Sequence, residues 1–250
     1  METAIQKSQW FGKKVAFFGD SITDKDLPVD GKKFWQRLQD WLGIEPLVYA
    51  VNGCSWAGII PQAERLKKEY GDSADAIIIF MGTNDYNGGV PIGSWYTFTD
   101  EQVNSHGTVM NKRRRHFDCS SATFRGRINA GMQFIKATFP RQQIILMTPI
   151  HRGYANFGGN NIQPEESFPN DIGLYTDDYI ASVKEAGNVW SVPVIDLHAA
   201  SGLNPVMEAY AQFFNNTEFD RLHPNAAGHD RIARVLRYQL LALPATFRDE

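Results

Sequence analysis

Ala76-Ile77-Ile78-Ile79-Phe80-Met81 is an unbroken apolar run between Asp75 and Gly82-Thr83-Asn84-Asp85. It lacks the polar alternation of a half-exposed strand, and it is about threefold too short to cross a bilayer. A short β-branched run closed by a turn reads as a strand buried on both faces. Val15-Ala16-Phe17-Phe18, ended by Gly19-Asp20, has the same form. Leu47 to Val51, Ile144 to Met147 and Val192 to Ile195 repeat it.

Between these runs the apolar rhythm becomes helical. Phe34, Trp35, Leu38, Trp41 and Leu42 recur at helical spacing, with Lys33, Gln36, Arg37 and Asp40 on the opposite face. The same period holds for Ile59, Ala63, Leu66 and Tyr70, and for Phe124, Ile128, Met132, Ile135 and Phe139 before Pro140. Tyr179, Val183, Ala186 and Trp190 form another stripe, and Ile232, Val235, Leu236 and Leu240 a last one, with Asn225 placed to cap it. Strand and helix alternate five times. That pattern predicts right-handed crossovers and a doubly wound parallel α/β sheet.

No internal repeat or linker-like stretch interrupts the chain, so a single domain over residues 1–250 is expected. Two segments break the rhythm. Tyr86 to Ser121 puts 36 residues between a strand and its helix, against a usual connection of about 2–6. Arg152 to Leu174 is a second long connection, rich in glycine, asparagine and proline. Both follow the carboxyl ends of strands, where open α/β sheets bind ligands.

Composition excludes several classes. The 250 residues carry 25 basic and 28 acidic side chains, a net charge of -3, which provides no basic field for nucleic acid and no polybasic membrane anchor. Gly 21 and Pro 12 are far from a low-complexity level. Two cysteines, Cys54 and Cys119, allow one bridge but no disulfide framework. Met1-Glu2-Thr3 lacks a leader profile, which fits a cytoplasmic protein or a processed secreted form.

Ser21, in Gly19-Asp20-Ser21-Ile22-Thr23, leaves the first strand at the sheet's carboxyl edge. A serine becomes a nucleophile only beside a base. Of six histidines, His223 stands out because Pro224 keeps it out of helical geometry just before the last helix. Asp220, three residues earlier, can take its ring N–H and fix the tautomer. Gly53 offers a backbone N–H, and Asn84 a side-chain amide, to an oxygen that becomes charged. In a flavodoxin-like strand order, 2-1-3-4-5, the loops carrying Ser21, Gly53 and Asn84 are neighbours.

Gly19-Asp20-Ser21, Gly53, Gly82-Thr83-Asn84-Asp85 and Asp220-Arg221-Leu222-His223 resemble the four blocks of the SGNH, or GDSL-type, hydrolases in order and spacing. The resemblance runs from about residue 13 to 243. It implies a flavodoxin-like three-layer α/β/α sandwich with a five-stranded parallel sheet. It also implies Ser21 as nucleophile, His223 as base and Asp220 as its orienting group. Ser21 N–H, Gly53 N–H and Asn84 would form the oxyanion hole, with no metal or organic cofactor. The family's second block runs Asn-x-Gly-x-x-Gly, whereas Val48-Tyr49-Ala50-Val51-Asn52-Gly53 keeps only the last glycine. Gly58 is the alternative donor. Ser-Ile-Thr in place of Ser-Leu favours non-lipase branches.

Other residues carry two readings. Cys54 is a small buried hydrophobe rather than a thiol nucleophile. The histidines show no His-Glu-x-x-His or similar ligand spacing, so no metal site is expected. Lys112-Arg113-Arg114-Arg115 is a solvated turn or a lid attracting anions. Trp95, Tyr96 and Phe98 either anchor the first insertion or touch substrate. Trp95, Tyr96, Tyr154 and Phe157, with Asn156, Asn160 and Asn161 beside them, suit a sugar ring, and Asp20 is a further candidate contact. The expected activity is hydrolysis of short, acetyl-type esters of a carbohydrate or other polar alcohol. A lipase or lysophospholipase and a non-catalytic carbohydrate-binding protein on the same fold are the alternatives. An α/β-hydrolase fails because no Gly-x-Ser-x-Gly elbow occurs.

Overall fold

The computed structural model describes residues 7–248, so the start of the chain, Met1-Glu2-Thr3, lies outside the described residues. In chain order the strands are β1 (Lys14–Gly19), β2 (Glu45–Val48), β3 (Ala76–Phe80), β4 (Tyr96–Ser105), β5 (Thr108–Phe117), β6 (Gln143–Met147), β7 (Ala155–Asn156), β8 (Ile162–Gln163), β9 (Val194–Ile195), β10 (Phe214–Asn216) and β11 (Asp220–Pro224). The α-helices are α1 (Phe34–Leu42), α2 (Ile59–Tyr70), α3 (Thr83–Asn87), α4 (Phe124–Thr138), α5 (Thr176–Trp190), α6 (Leu197–Ala200) and α7 (Ala226–Leu241).

The central sheet has five parallel strands in the order β2-β1-β3-β6-β9, the flavodoxin-like order expected. Its unbroken apolar runs are explained by burial on both sides. Ala16 and Phe18 of β1, with Ile77 and Ile79 of β3, face a layer made by α2, α4 and α5. Val15, Phe17, Ile78 and Phe80 face α1 and α7. Adjacent residues therefore belong to opposite cores, and a polar residue anywhere in the run would interrupt one of them. Asn225 caps α7 by accepting from the Ala227 and Gly228 N–H groups.

The two long connections contain structure that apolar periodicity does not reveal. Residues 96–117 form a two-stranded ribbon, β4 paired antiparallel with β5 over ten residue pairs. Nearly all of its side chains are exposed, so neither face needs an apolar stripe. His106 and Gly107 turn it at φ 54° and 83°, the positive pair that a two-residue hairpin requires. The 152–174 connection holds β7 and β8, which join β10 and β11 in a small second sheet of order β10-β11-β7-β8. Cys54 and Cys119 are both free, so the bridge that the sequence allows is not made. Among the described residues no helix is long and apolar enough to cross a membrane.

Candidate active site

β1 ends at Gly19, and the next residues turn over the sheet edge with Ser21 almost buried. Two side chains hold this turn. Gln62 of α2 reaches back to Gly19, accepting from its N–H and donating to its carbonyl, both at 2.9 Å. Lys33, buried at the start of α1, donates to the Ser21, Ile22 and Asp24 carbonyls at 3.2, 3.3 and 2.6 Å. Burial pulls the Lys33 ammonium down to about 8, against the opposing pull of Asp24 and Asp20. Asp24 in turn accepts from the Asn52 N–H at 2.7 Å, which fastens the Gly53 turn beside Ser21.

His223 lies on β11, and its Nε2 is 2.9 Å from Ser21 Oγ. Its Nδ1 is 3.1 Å from both carboxylate oxygens of Asp220. Asp220 also accepts from the His223 and Leu222 N–H groups and from the Asn215 amide. Burial pushes this carboxyl up, but the hydrogen bond and charge of His223 outweigh it and hold the group below the usual carboxylate range. With its Nδ1–H given to Asp220, the ring is left with Nε2 facing the serine hydroxyl. That is the geometry for taking the proton of Ser21.

Asn84 is the second residue of α3, which follows β3. Its side-chain amide donates one hydrogen to the Cys54 carbonyl at 3.0 Å, which leaves the second hydrogen to give. Gly82 before it has φ 132°, which only glycine adopts without strain, and a Cβ there would also lie 3.0 Å from Pro149. Asp85 pins the helix, accepting from the Trp56 N–H and from Arg127 at 2.9 Å each. Burial raises the Asp85 carboxyl although both partners oppose it. Gly53 sits at φ +72° with open space around its Cα. Within the described residues, neither the Ser21 N–H nor the Gly53 N–H donates to another protein group.

Ser21, Gly53, Asn84, Asp220 and His223 all line one cleft of about 560 Å³. The strand order brings the first three together as expected. Gly58, the alternative donor, does not line the cleft, and a Cβ there would collide with Cys54 Sγ.

The proposed substrate contacts fare differently. Asp20 is only 2% exposed and turns inward, with its carboxylate accepting from the Ile22 N–H. Burial lifts its pKa to about 6, against that hydrogen bond and the His223 charge. Trp95 and Tyr96 are outside the cleft. Trp95 Nε1 donates to Glu185 of α5 at 2.7 Å. Tyr96 stacks on Phe117, which stacks on Trp190 with centroids 4.3 Å apart. They anchor the ribbon, because aromatic surface at its base has α5 to cover it. Tyr154 is also absent from the lining, and its carbonyl accepts from the Arg221 N–H of β11. Lys112 to Arg115 project from β5, with Arg113 over Phe98 and Arg115 over Tyr96, and form no lid on the cleft.

From the 152–174 connection, the residues that do reach the cleft are Phe157, Asn161 and Gln163. The Phe157 ring lies 5.3 Å from that of His223. Sequence reasoning missed Lys33, Gln62 and Arg152, whose roles come from contacts that no motif spacing marks. Arg152 is buried and donates to the Thr83 carbonyl and hydroxyl and to Gln163. Burial lowers its pKa to about 10 despite the pull of Tyr86 and Glu166.

The chain belongs to the GDSL-like lipase/acylhydrolase family, whose pattern it matches over residues 17–231, and is a hydrolase of that type. Among solved structures it is similar to a protein from Lactobacillus plantarum, with 24% identity, 93% of this chain and 98% of the other covered, and a TM-score of 0.71. It is also similar to a possible lipase from Chitinophaga pinensis (21% identity, 91% and 99% covered, TM-score 0.65). A lipase/acylhydrolase from Enterococcus faecalis shares the fold at 20% identity, 93% and 98% coverage and a TM-score of 0.53. No curated protein matches the sequence.

Proposed function

We propose that this hydrolase cleaves short-chain, acetyl-type esters of a carbohydrate or another polar alcohol through an acyl-enzyme on Ser21. In this reading His223 Nε2 takes the hydroxyl proton as Ser21 Oγ attacks the ester carbonyl. The oxygen that becomes charged is met by the Ser21 and Gly53 N–H groups and the free hydrogen of the Asn84 amide. His223 returns the proton to the departing alcohol. It then activates a water that releases the acid and restores Ser21. Asp220 steadies the imidazolium at both stages without itself accepting the proton.

The observation that supports the substrate class is the lining of the cleft. Asn52, Asn84, Asn87, Asn161, Gln163 and Asn215 line the cleft together with Ser21, and Phe157 supplies one aromatic face. Hydroxyl-bearing alcohols can satisfy such amides, whereas an acyl tail would desolvate them. The apolar side chains Leu27, Pro28, Val29 and Leu222 are interspersed with them. The aromatic part of the sugar reading narrows to Phe157, since Trp95, Tyr96 and Tyr154 lie elsewhere.

Acetate release from acetylated xylan and sugar acetates is to be compared with turnover of p-nitrophenyl acetate, butyrate and octanoate. Activity should be highest on acetyl esters and should extend to the sugar acetates. A site that buried the octanoyl chain would gain up to about 5 kcal/mol from its six further methylenes, at ~0.8 kcal/mol each. A rate that climbs with chain length, or phospholipid turnover above sugar-acetate turnover, would replace this reading with the lipolytic one.

A further inference from the structure

Outside the cleft, three distant segments bring two imidazoles and a carboxylate together. His151 follows β6, Glu166 lies in the 152–174 connection, and His198 is in α6 just past β9. One ligand-capable atom from each lies within 4.8 Å of the other two. The His151 and His198 rings have centroids 3.5 Å apart, and His151 Nδ1 meets Glu166 Oε1 directly.

Ordinary hydrogen bonding leaves this cluster incomplete. His198 Nδ1 is buried and has no hydrogen-bond partner, whereas nearly all buried polar atoms in folded proteins have one. The surroundings fix the ligand-bearing groups. Glu166 Oε2 accepts from the Arg152 N–H at 2.9 Å, which leaves Oε1 to His151. The backbone N–H of His198 donates to Thr148 Oγ1 at 3.0 Å, which places the start of α6. Outer contacts of this kind orient metal ligands. The side chains of His151 and Glu166 keep 26% and 14% exposure, so an ion in solution has a way in.

We propose that His151, Glu166 and His198 form a binding site for a divalent first-row transition ion, with Zn²⁺ as the type. Two imidazole nitrogens and one carboxylate suit Zn²⁺, Co²⁺ or Ni²⁺, while Ca²⁺ and Mg²⁺ prefer more oxygen ligands. Three protein ligands leave further positions to water. The ion replaces the direct His151–Glu166 contact and ties the ends of β6 and β9 to the connection that carries Gln163 to the cleft wall. The site is separate from the proposed ester chemistry.

The untagged full chain, stripped with a chelator, is titrated with Co²⁺ and then with Zn²⁺. One equivalent of Co²⁺ per chain should bind, with visible d–d absorption that Zn²⁺ abolishes and a thermal midpoint that rises until the same equivalence. His198→Ala, Glu166→Gln and His151→Gln should each weaken binding beyond the about 10–100-fold that loss of an outer partner costs. Circular dichroism and ester hydrolysis without metal check that each variant is folded. His116→Ala, at a histidine–glutamate pair in the ribbon where His116 Nε2 lies 2.8 Å from Glu101 Oε1, should bind as the parent does. Absence of stoichiometric binding, or binding that persists in the folded variants of the three ligands, would overturn the site. So would loss on His116→Ala.

Discussion

The guanidinium of Arg152 donates through one nitrogen to both the carbonyl and the hydroxyl of Thr83, at 3.2 and 3.1 Å. Thr83 precedes Asn84, and the other nitrogen of the fork holds Gln163 at 2.6 Å. One buried cation therefore links the proposed oxyanion donor to the connection that walls the cleft. A lysine cannot reproduce this fork. Arg152→Lys should lower kcat on p-nitrophenyl acetate by about tenfold or more and leave Thr83 or Gln163 short of a partner, at about 1–3 kcal/mol. Steady-state kinetics and thermal unfolding measure both. Parental values for the variant would show that Arg152 only fills space.

Ser21→Ala removes the proposed nucleophile and little else, because the side chain's hydroxyl contact is with His223. Ester hydrolysis should fall by about 10³-fold or more with the fold unchanged. A fluorophosphonate probe should label the parent on Ser21 alone. Labelling on Cys54, or undiminished turnover, would move the chemistry elsewhere; burial already raises the Cys54 thiol and disfavours the thiolate.

How much of this was readable beforehand depends on whether a feature is local. The five central strands are legible because burial on both faces forces continuous apolar runs, as in Ala76 to Phe80. The candidate site is legible because Ser21, Gly53 and Asn84 stand in short blocks that follow strands, which strand order alone makes neighbours, and because Asp220 and His223 share one short block just before the capped last helix. The ribbon is not, since residues 96–117 are exposed on both faces and carry no apolar alternation. Only His106-Gly107 marks it. Lys33 bonds the turn some residues before it, and Gln62 and Arg152 bond residues 43 and 69 positions away, pairings that no motif spacing announces. Trp95 and Tyr96 show that composition identifies an aromatic pair but not the direction it faces.

Asn84→Ala separates transition-state from ground-state binding. Its free amide hydrogen is needed as the carbonyl oxygen becomes charged, so kcat should fall by about 10²–10³ with little change in KM. A rise in KM alone would make Asn84 a substrate-binding residue instead.

His223→Ala and Asp220→Asn should differ in size. His223 moves the proton, whereas Asp220 fixes the ring and stabilises its charge, so the asparagine variant should keep more activity. It also keeps acceptor capacity for the Leu222 and His223 N–H groups. Single-turnover acylation rates on one ester provide the comparison. Equal losses would mean that Asp220 is needed to build β11 as well as to serve the ring.

Asp20 gives a pH prediction whose sign is opposite to that of an ion-paired carboxylate. Its carboxyl is buried, and its pKa in the folded protein is about 6 against an ordinary value of 3.8. Between those values the folded state holds a proton that the unfolded chain has released. Stability on this account therefore falls as pH rises from about 4 to 6, and stays lowered above 6, by up to about 3 kcal/mol. Asp20→Asn removes the charge and retains an oxygen to accept from the Ile22 N–H. The variant should unfold at a higher temperature than the parent at pH 8, and the gap should shrink as the pH is taken down towards 4. Thermal unfolding at closely spaced pH values measures this directly. An asparagine variant less stable at pH 8, by as much as at pH 4, would mean that the turn needs the carboxylate's negative charge against Lys33 and His223. The raised pKa would then be the wrong account of Asp20.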